Sequence, residues 1–362
     1  MTQIDSENMD PSLQEMNRLL DQAAERKASD LYLYVLMPPM IRAAGHILPL
    51  DQGAEPLAAE AVKRLAMSLL NGSQTKRFEE ERELDIAHQS PTGHRFRINL
   101  HWEKENVGMV ARAIPREIPS MDDLDLPPVV QQMTGYPHGL VLVTGPTGSG
   151  KSTTLASMID SLNRRGAYHI ITLEDPIEYI FTPVKSMVRQ RQFEQDFTSF
   201  QEALKRILRQ TPDIVMIGEM RDPETISAAL TIAETGHLVF ATLHTYSAAQ
   251  TIDRIVDAIP PDQRDQVRVQ LALTLRAVVS QRLLPAIGGG RVAGREILVN
   301  NSAVANLIRE NQVAQIRNVL QTSADEGMTT LAQDLKRLVK SGRIDYETAQ
   351  QYLVGDEKLS SA

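Results

Sequence analysis

Residues 145–152 read Gly-Pro-Thr-Gly-Ser-Gly-Lys-Ser and match the pattern G-x-x-x-x-G-K-[ST]. The apolar residues 140–144 directly before them predict a buried strand, and the residues directly after them predict a helix. Glycines in such a position let successive backbone N–H groups turn inward, and the positive end of the helix dipole points to the same place. The segment therefore predicts a phosphate-binding loop inside an α/β fold.

This loop also predicts how a nucleotide is held. We expect Lys151 to reach the β- and γ-phosphates and Ser152 to ligate Mg²⁺. A glycine-rich turn could match the pattern by chance, but the strand and helix on either side favour a functional loop. The predicted nucleotide-binding residues are Gly145, Pro146, Thr147, Gly148, Ser149, Gly150, Lys151, Ser152 and Thr153.

Acidic residues follow two predicted strands. Glu174 and Asp175 come after one strand, and Glu219 comes after another. The carboxyl ends of parallel strands form the edge where ligands bind, and carboxylates there can hold a metal ion or polarise water. We predict that Glu219 is the general base and that Glu174 also takes part in catalysis. The candidate metal ligands are Ser152, Glu174, Asp175 and Glu219.

The sequence alone does not decide whether two histidines and two arginines have structural or functional roles. His237 and His244 lie at the two ends of the predicted strand 238–242, and a lone histidine is usually a structural residue. Arg97 and Arg112 lie on predicted strands of the N-terminal region, where a solvent-exposed sheet face would explain them. If a neighbouring subunit placed that region against the phosphate-binding loop, a guanidinium could stabilise the transferring phosphoryl group.

The pattern of secondary structure changes in the middle of the chain. Four prolines and an acidic MDDLD segment fall between residues 114 and 128, where they disfavour regular structure. We therefore predict a smaller α+β domain at 1–113, a linker at 114–128 and an α/β domain with C-terminal helices at 129–354. We expect residues 355–362 to form a disordered tail.

Composition excludes several classes of function. The net charge of −8 argues against a nucleic-acid partner, and the absence of cysteine excludes disulfides, thiolate zinc sites and cysteine nucleophiles. The N-terminus lacks the features of a secretory signal, and no apolar stretch approaches ~18 residues. We expect a cytoplasmic protein without a transmembrane segment, in which any membrane contact is peripheral.

Four motifs occur in order along the chain: GLVLVTGPTGSGKSTT, ITLEDPIEY, PDIVMIGEMRDPETI and AETGHLVFATLHTYSAAQTIDRI. In these motifs, and over nearly its whole length, the chain resembles the secretion-ATPase superfamily, and within it the type IV pilus retraction ATPases. The resemblance implies a RecA-like P-loop ATPase domain preceded by a PAS-like domain. It also implies a ring-shaped homohexamer, with ATP as the nucleotide.

Individual roles also follow from the resemblance. It implies that Glu219 is the Walker B glutamate and that 306–310, NLIRE, is a motif needed for retraction in the family. The other implied roles are the aspartate-box acids Glu174 and Asp175, the histidine-box pair His237 and His244, and the arginine fingers Arg97 and Arg112.

The resulting hypothesis is a hexameric ATPase motor that retracts pili by acting on an inner-membrane platform protein at the pilus base. Pilus-assembly and type II secretion ATPases usually carry a tetracysteine module and a longer N-terminal region, so they are less favoured. An accessory retraction paralogue stays open, as an alternative identity or as a partner, because Tyr32, Tyr246 and Ala305 depart from the family pattern. A nucleotide-gated scaffold and a nucleic-acid translocase are alternatives of other classes, and the net acidity disfavours the translocase.

Overall fold

The computed structural model of the protein describes residues 10–43, 45–115 and 117–353. Its chain divides into two units, Met1–Glu117 and Ile118–Ala362. The predicted disordered tail at 355–362 lies outside the described residues. Within the described ranges, no helix has the length and apolar content that a bilayer span requires.

The first unit combines three helices, among its described residues, with one antiparallel sheet of strand order β3-β2-β1-β6-β5-β4. Asp10 caps the first helix, which buries Met16 and Leu20 as its apolar spacing predicts. The elements are α1 (Pro11–Glu25), β1 (Asp30–Leu33), β2 (Met40–Ala43), β3 (His46–Pro49), α2 (Ala59–Met67), α3 (Gly72–Glu81), β4 (Glu83–Gln89), β5 (Arg95–Glu103) and β6 (Asn106–Ile114).

The alternating residues 94–100 predict a strand with which 107–114 could pair. This pairing is confirmed as that of β5 with β6, and the two strands run antiparallel. Phe96, Ile98 and Leu100 are buried on one face of β5, whereas Arg97 lies on the other. The register places Arg97 directly opposite Arg112. Both guanidinium groups therefore belong to the face of the sheet that is turned away from the apolar core of this unit.

The second unit contains a seven-stranded sheet of order β13-β12-β7-β11-β10-β8-β9, in which β13 pairs antiparallel and the other neighbours pair parallel. The strands are β7 (Gly139–Thr144), β8 (His169–Glu174), β9 (Met187–Gln192), β10 (Ile214–Ile217), β11 (Leu238–Leu243), β12 (Leu275–Pro285) and β13 (Arg291–Val299). The helices are α4 (Pro128–Met133), α5 (Lys151–Arg165), α6 (Phe200–Ile207), α7 (Pro223–Glu234), α8 (Ala248–Ala258), α9 (Arg264–Thr274), α10 (Ser302–Arg309), α11 (Ile316–Thr322), α12 (Leu331–Lys340) and α13 (Tyr346–Tyr352).

The central strand β7 is buried on both faces, as its continuous apolar sequence predicts. Leu140 and Leu142 belong to the apolar core that contains α7, α8 and α9, whereas Val141 and Val143 belong to the core that contains α5. The sequence predicts four strands for this region, at 140–144, 169–173, 213–217 and 238–242. They correspond to β7, β8, β10 and β11, each within one residue of its predicted ends. The carboxyl ends of these parallel strands lie along one edge, which places the phosphate-binding loop there.

The sequence predicts one helix with Asp222 as N-cap, Pro223 as first residue and Gly236 as its stop, and another helix with Thr198 as N-cap. The two predicted helix starts have different outcomes. Asp222 caps α7 by accepting a hydrogen bond from the Thr225 N–H, Pro223 is its first residue, and Gly236 follows its end at φ +99°, all as predicted. The predicted cap of α6 at Thr198 is wrong. Ser199 holds that position and accepts a hydrogen bond from the Glu202 N–H, because the helix begins one residue later than the apolar spacing suggested.

Most residues predicted as a linker pack within the second unit. Leu126 is buried beside α5, and Ile118 packs against the same core. The buried Arg295 on β13 donates hydrogen bonds to the carbonyl oxygens of Leu124 and Asp125, at 2.7 and 2.9 Å. Contacts of this kind hold residues 118–126 to the unit that carries the loop.

We predict that Asp222→Ala lowers the free energy of unfolding by about 1 kcal/mol, since it removes the cap of α7. Urea denaturation followed by circular dichroism measures this change. The control is Glu224→Ala, which removes a negative charge from the same helical turn without removing the cap, and should cost only about 0.3 kcal/mol. Equal losses in the two variants would contradict the assignment of the cap.

Candidate nucleotide-binding site

Residues 145–150 form a loop whose backbone conformation favours glycine at several positions. Gly145, Gly148 and Gly150 have φ values of +145°, +77° and +85°, which side chains disfavour. A Cβ atom on Gly145 would lie 2.2 Å from the carbonyl oxygen of Gln281 and 2.6 Å from Ser149 Oγ. The loop then passes directly into α5, whose N-terminal N–H groups face the same space.

Lys151, the first residue of α5, turns its side chain back across the loop. Its Nζ donates hydrogen bonds to the carbonyl oxygens of Gly145, at 2.9 Å, and Pro146, at 3.1 Å. The side chain is largely buried, and this burial lowers the pKa of Lys151, with an opposing contribution from the carboxylates of Glu219 and Glu178. A buried ammonium group held by two carbonyl oxygens is an electrostatic site for an anion.

Glu219 and His244, predicted from separate segments, lie side by side at the carboxyl ends of β10 and β11. His244 Nε2 lies 3.2 Å from Glu219 Oε1, and its Nδ1 lies 3.5 Å from both Lys151 Nζ and Thr147 Oγ1. A neutral imidazole that donates through Nε2 presents an acceptor at Nδ1, which suits the adjacent ammonium group. His244 thus connects the predicted base to the phosphate-binding loop.

A cleft of about 520 Å³ opens beside these two residues. Glu219 and His244 form one side, and Gln250, Asp253 and Arg254 of α8 also line it. Glu219 is therefore accessible to a water molecule from this side, as a general base requires.

Asp175 and Glu219 share one guanidinium group. Arg221 Nε donates to Glu219 Oε2 at 2.9 Å, and Arg221 Nη1 lies 3.5 Å from Asp175 Oδ2. Arg221 is mostly exposed, so the ion pairs themselves contribute little to stability. The effect of these ion pairs is to position the two carboxylates near each other.

Glu174, the last residue of β8, differs from the other acids because it is buried. Its Oε1 accepts hydrogen bonds from Thr172 Oγ1 at 2.6 Å and Gln190 Nε2 at 3.0 Å. Burial raises the pKa of Glu174 to about 7, although these hydrogen bonds and one from the backbone of Glu178 act in the opposite direction. The carboxyl group therefore titrates near neutral pH, well above the ordinary range of a glutamate.

Ser152 and Thr153 occupy the first turn of α5, where the sequence places them. Ser152 is partly exposed, and Thr153 Oγ1 lies 3.0 Å from the hydroxyl oxygen of Tyr179. Among the residues that the structure describes, no group of three or more histidine or acidic side chains is arranged to hold a metal ion. Mg²⁺ in nucleotide sites is commonly bound by one or two protein groups and the phosphates, a donor set that Ser152 and Glu219 fit.

His237 is not brought to this site. It precedes β11 at the amino end of the strand, where its carbonyl oxygen accepts a hydrogen bond from the N–H of Gly139. The six residues of β11 separate it from His244, a distance of roughly 20 Å at the rise of a strand. A role for His237 at this chain's own phosphate-binding loop has no support in the geometry.

Arg97 and Arg112 belong to the first unit. Arg112 Nε donates to the buried carboxylate of Asp30 at 3.0 Å, and Arg97 Nη2 lies 3.6 Å from Asp85 Oδ2. Both arginine side chains retain large exposed fractions, 72% for Arg112 and 43% for Arg97. Each guanidinium is thus anchored at one side and accessible at the other.

Comparisons with known proteins agree with these features. Residues 120–351 match the sequence model of a family described as Type II/IV secretion system protein. The chain is 47% identical over 337 residues to the type IV pilus retraction ATPase PilT of Pseudomonas aeruginosa, covering 93% of this chain and 97% of that protein. The chain belongs to the Type II/IV secretion system protein family.

Other relatives extend this result. The chain is 46% identical over 323 residues to a twitching motility protein of Neisseria gonorrhoeae, covering 89% of this chain and 86% of that protein. The crystal structure of the pilus retraction motor PilT with bound ADP matches with a TM-score of 0.87 at 43% identity, covering 94% of this chain and 97% of that one. The predicted fold class, a RecA-like domain preceded by a smaller PAS-like α+β domain, is confirmed for this member of the family.

Sequence reasoning missed several residues of the site. Gln281 on β12 contacts the phosphate-binding loop, and Gln190 and Tyr179 contact Glu174 and Thr153. No spacing pattern marks these polar residues, because each reaches the site from a neighbouring strand or loop. Arg221 could have been found, since it follows Glu219 by two residues in the motif GEMRDP.

We predict that Glu174→Gln changes how stability depends on pH. Between its ordinary pKa of 4.5 and the folded value of about 7, wild-type Glu174 binds a proton only in the folded state. The free energy of unfolding of the wild type therefore falls as pH rises through this window, and this contribution is absent from the variant.

Between about pH 5 and pH 8, the free energy of unfolding of Glu174→Gln should rise by on the order of 3 kcal/mol relative to that of wild type. Urea denaturation of nucleotide-free protein at several pH values measures the difference. Glu224→Gln, which alters an exposed carboxyl group of α7, is the matched control and should show no such trend. A pH-independent difference for Glu174→Gln would show that its carboxyl group titrates normally.

Proposed function

We propose that this chain is an ATP-hydrolysing motor that powers retraction of type IV pili. One observation carries the proposal: a phosphate-binding loop with a buried Lys151 lies beside an accessible carboxylate, Glu219, at the ligand-binding edge of a RecA-like sheet. The relatives described as PilT and as a twitching motility protein support pilus retraction, and the ADP in the PilT crystal structure supports an adenine nucleotide.

The loop would bind the nucleotide through backbone and charge. Inward-facing N–H groups and the start of α5 would hold the phosphate oxygens, and Lys151 would exchange its two carbonyl contacts for contacts with the phosphates. Mg²⁺, when bound, would neutralise charge on the phosphates. Ser152 and Glu219 would hold it, directly or through water.

Glu219 would orient the attacking water and accept its proton. Arg221 Nε and His244 Nε2 each contact one oxygen of this carboxylate, so its position is fixed while lone pairs stay available. His244 also lies beside Lys151, which would let it respond to the γ-phosphate. Glu174, buried and partly protonated, would support this arrangement from the neighbouring strand β8.

We further propose that the motor is a homohexamer in which Arg97 and Arg112 reach the site of a neighbouring subunit. The exposed side of each guanidinium supports this role, because an arginine finger must contact phosphate from outside. An Asp30 carboxylate behind Arg112 would keep the finger extended toward its target.

The partner that receives the force would be an inner-membrane platform protein at the pilus base, with the motor on the cytoplasmic side. The NLIRE segment supports a docking role, because α10 buries Val304 and Ile308 while Asn306, Arg309 and Glu310 stay exposed. An amphipathic helix of this kind presents a polar surface without disturbing the core beneath it.

We predict that purified protein hydrolyses ATP in the presence of Mg²⁺ and that Glu219→Gln reduces kcat by roughly 10²-fold or more, since a general base contributes about 10²–10⁴-fold. Glu219→Gln should still bind ADP, whereas Lys151→Ala should lose nucleotide affinity. Steady-state kinetics and calorimetry measure the two effects. Normal turnover by Glu219→Gln would overturn the assignment of the base.

The cellular form of this test separates a motor from a scaffold. In a strain that lacks its pilus retraction ATPase, wild-type protein should restore twitching and Lys151→Ala should not. Restoration by Lys151→Ala would favour a scaffold whose hydrolysis is incidental. Wild-type protein that restores twitching only together with a second retraction ATPase would identify an accessory motor.

We predict that Arg97→Ala and Arg112→Ala each abolish most ATP hydrolysis, and that mixing either one with Lys151→Ala restores part of it. A finger acts in trans, so a mixed ring contains sites with an intact loop from one subunit and an intact arginine from its neighbour. Hydrolysis rates across mixing ratios measure the effect. No recovery at any ratio would indicate that these arginines act only within their own subunit.

A further inference from the structure

Gln281 of β12 contacts the phosphate-binding loop from the neighbouring strand. β12 runs parallel to β7, and the register pairs Ser280 with Thr144, whose hydroxyl oxygens lie 2.7 Å apart. Gln281 therefore lies level with Gly145, the first residue of the loop. Its side chain is 2% exposed, so its polar atoms must find partners within the protein.

Both ends of the Gln281 amide have partners. Nε2 donates to the carbonyl oxygen of Ser149 at 2.8 Å, and Oε1 accepts from Thr154 Oγ1 at 3.0 Å. The carbonyl of Ser149 can only accept, so it selects the nitrogen side of the amide and leaves the oxygen for the hydroxyl of Thr154. This pair of contacts defines a single orientation of the amide across the end of the loop.

This orientation has a consequence for the next N–H group. The carbonyl of Ser149 and the N–H of Gly150 belong to one planar trans peptide, in which they point in opposite directions. Because the carbonyl points toward the Gln281 amide, the Gly150 N–H points away from that amide.

We propose that Gln281 is a positioning residue that aims the Gly150 N–H at the bound phosphate. This inference rests on the proposed function, since it assigns a role within the same site. The N–H would contact phosphate equally in the ground state and the transition state. Loss of Gln281 should therefore weaken nucleotide binding and raise KM while changing kcat little.

The test compares Gln281→Met, which keeps the length of the side chain without its hydrogen bonds, with wild type. We expect Gln281→Met to weaken ADP binding roughly tenfold, the effect of losing one well-oriented hydrogen bond to a charged group. The affinity for pyrophosphate, measured by displacement of a fluorescent ADP, should fall by the same factor. The reason is that the lost N–H contact is made to the phosphates and not to the nucleoside. The control is Gln270→Met, which removes an amide that donates to Glu234 on the surface of the same unit.

Several outcomes decide the question. ADP and pyrophosphate affinities within twofold of wild type in Gln281→Met would refute the inference, as would a loss of kcat with unchanged KM. Should Gln281→Met fail to fold, Thr154→Val releases only the far end of the amide and should weaken ADP binding about threefold. Unchanged binding by Thr154→Val would then count against the inference. Wild-type protein that binds no ADP would refute the proposed function itself.

Discussion

The site depends on one constraint, the need to direct several backbone N–H groups at a single point. An extended or helical backbone cannot do this, and the positive φ values of Gly145, Gly148 and Gly150 are the local solution. Such a loop keeps this conformation only if the neighbouring elements restrict its backbone. The buried strand β7 before it, α5 after it and Gln281 beside it supply that restraint. The sheet thus acts as the support for a short backbone segment.

Four side chains form a continuous series outward from this loop. The ammonium group of Lys151 is followed by the imidazole of His244, the carboxylate of Glu219 and the guanidinium of Arg221. Each group lies within about 3.5 Å of the next, so a change in charge at Lys151 is felt by Glu219 through one imidazole. A bound triphosphate would add negative charge beside Lys151 and so alter the whole series. This arrangement gives a physical route from phosphate binding to Glu219, the proposed general base.

The sequence predicted the loop, the parallel strands and the acids at their carboxyl ends, because those features depend on local pattern and on the shared edge of a parallel sheet. It could not predict Gln281 or Gln190, whose roles arise only when β12 and β9 are placed beside β7 and β8. His237 and His244 looked equivalent in the sequence. In the structure they lie at opposite ends of β11. The family resemblance, which implied that they act as a pair, gives no information about their distance within one chain.

The acids predicted as metal ligands are distinguished by their burial. The Oε1 of Glu174 already accepts two side-chain hydrogen bonds, and a raised pKa makes its carboxyl group a poor ligand near neutral pH, because a cation binds the ionised form. Asp175 and Glu219 are accessible and lie beside the guanidinium group of Arg221. The burial of Glu174 therefore favours Asp175 and Glu219 over Glu174 among the predicted ligands of a cation.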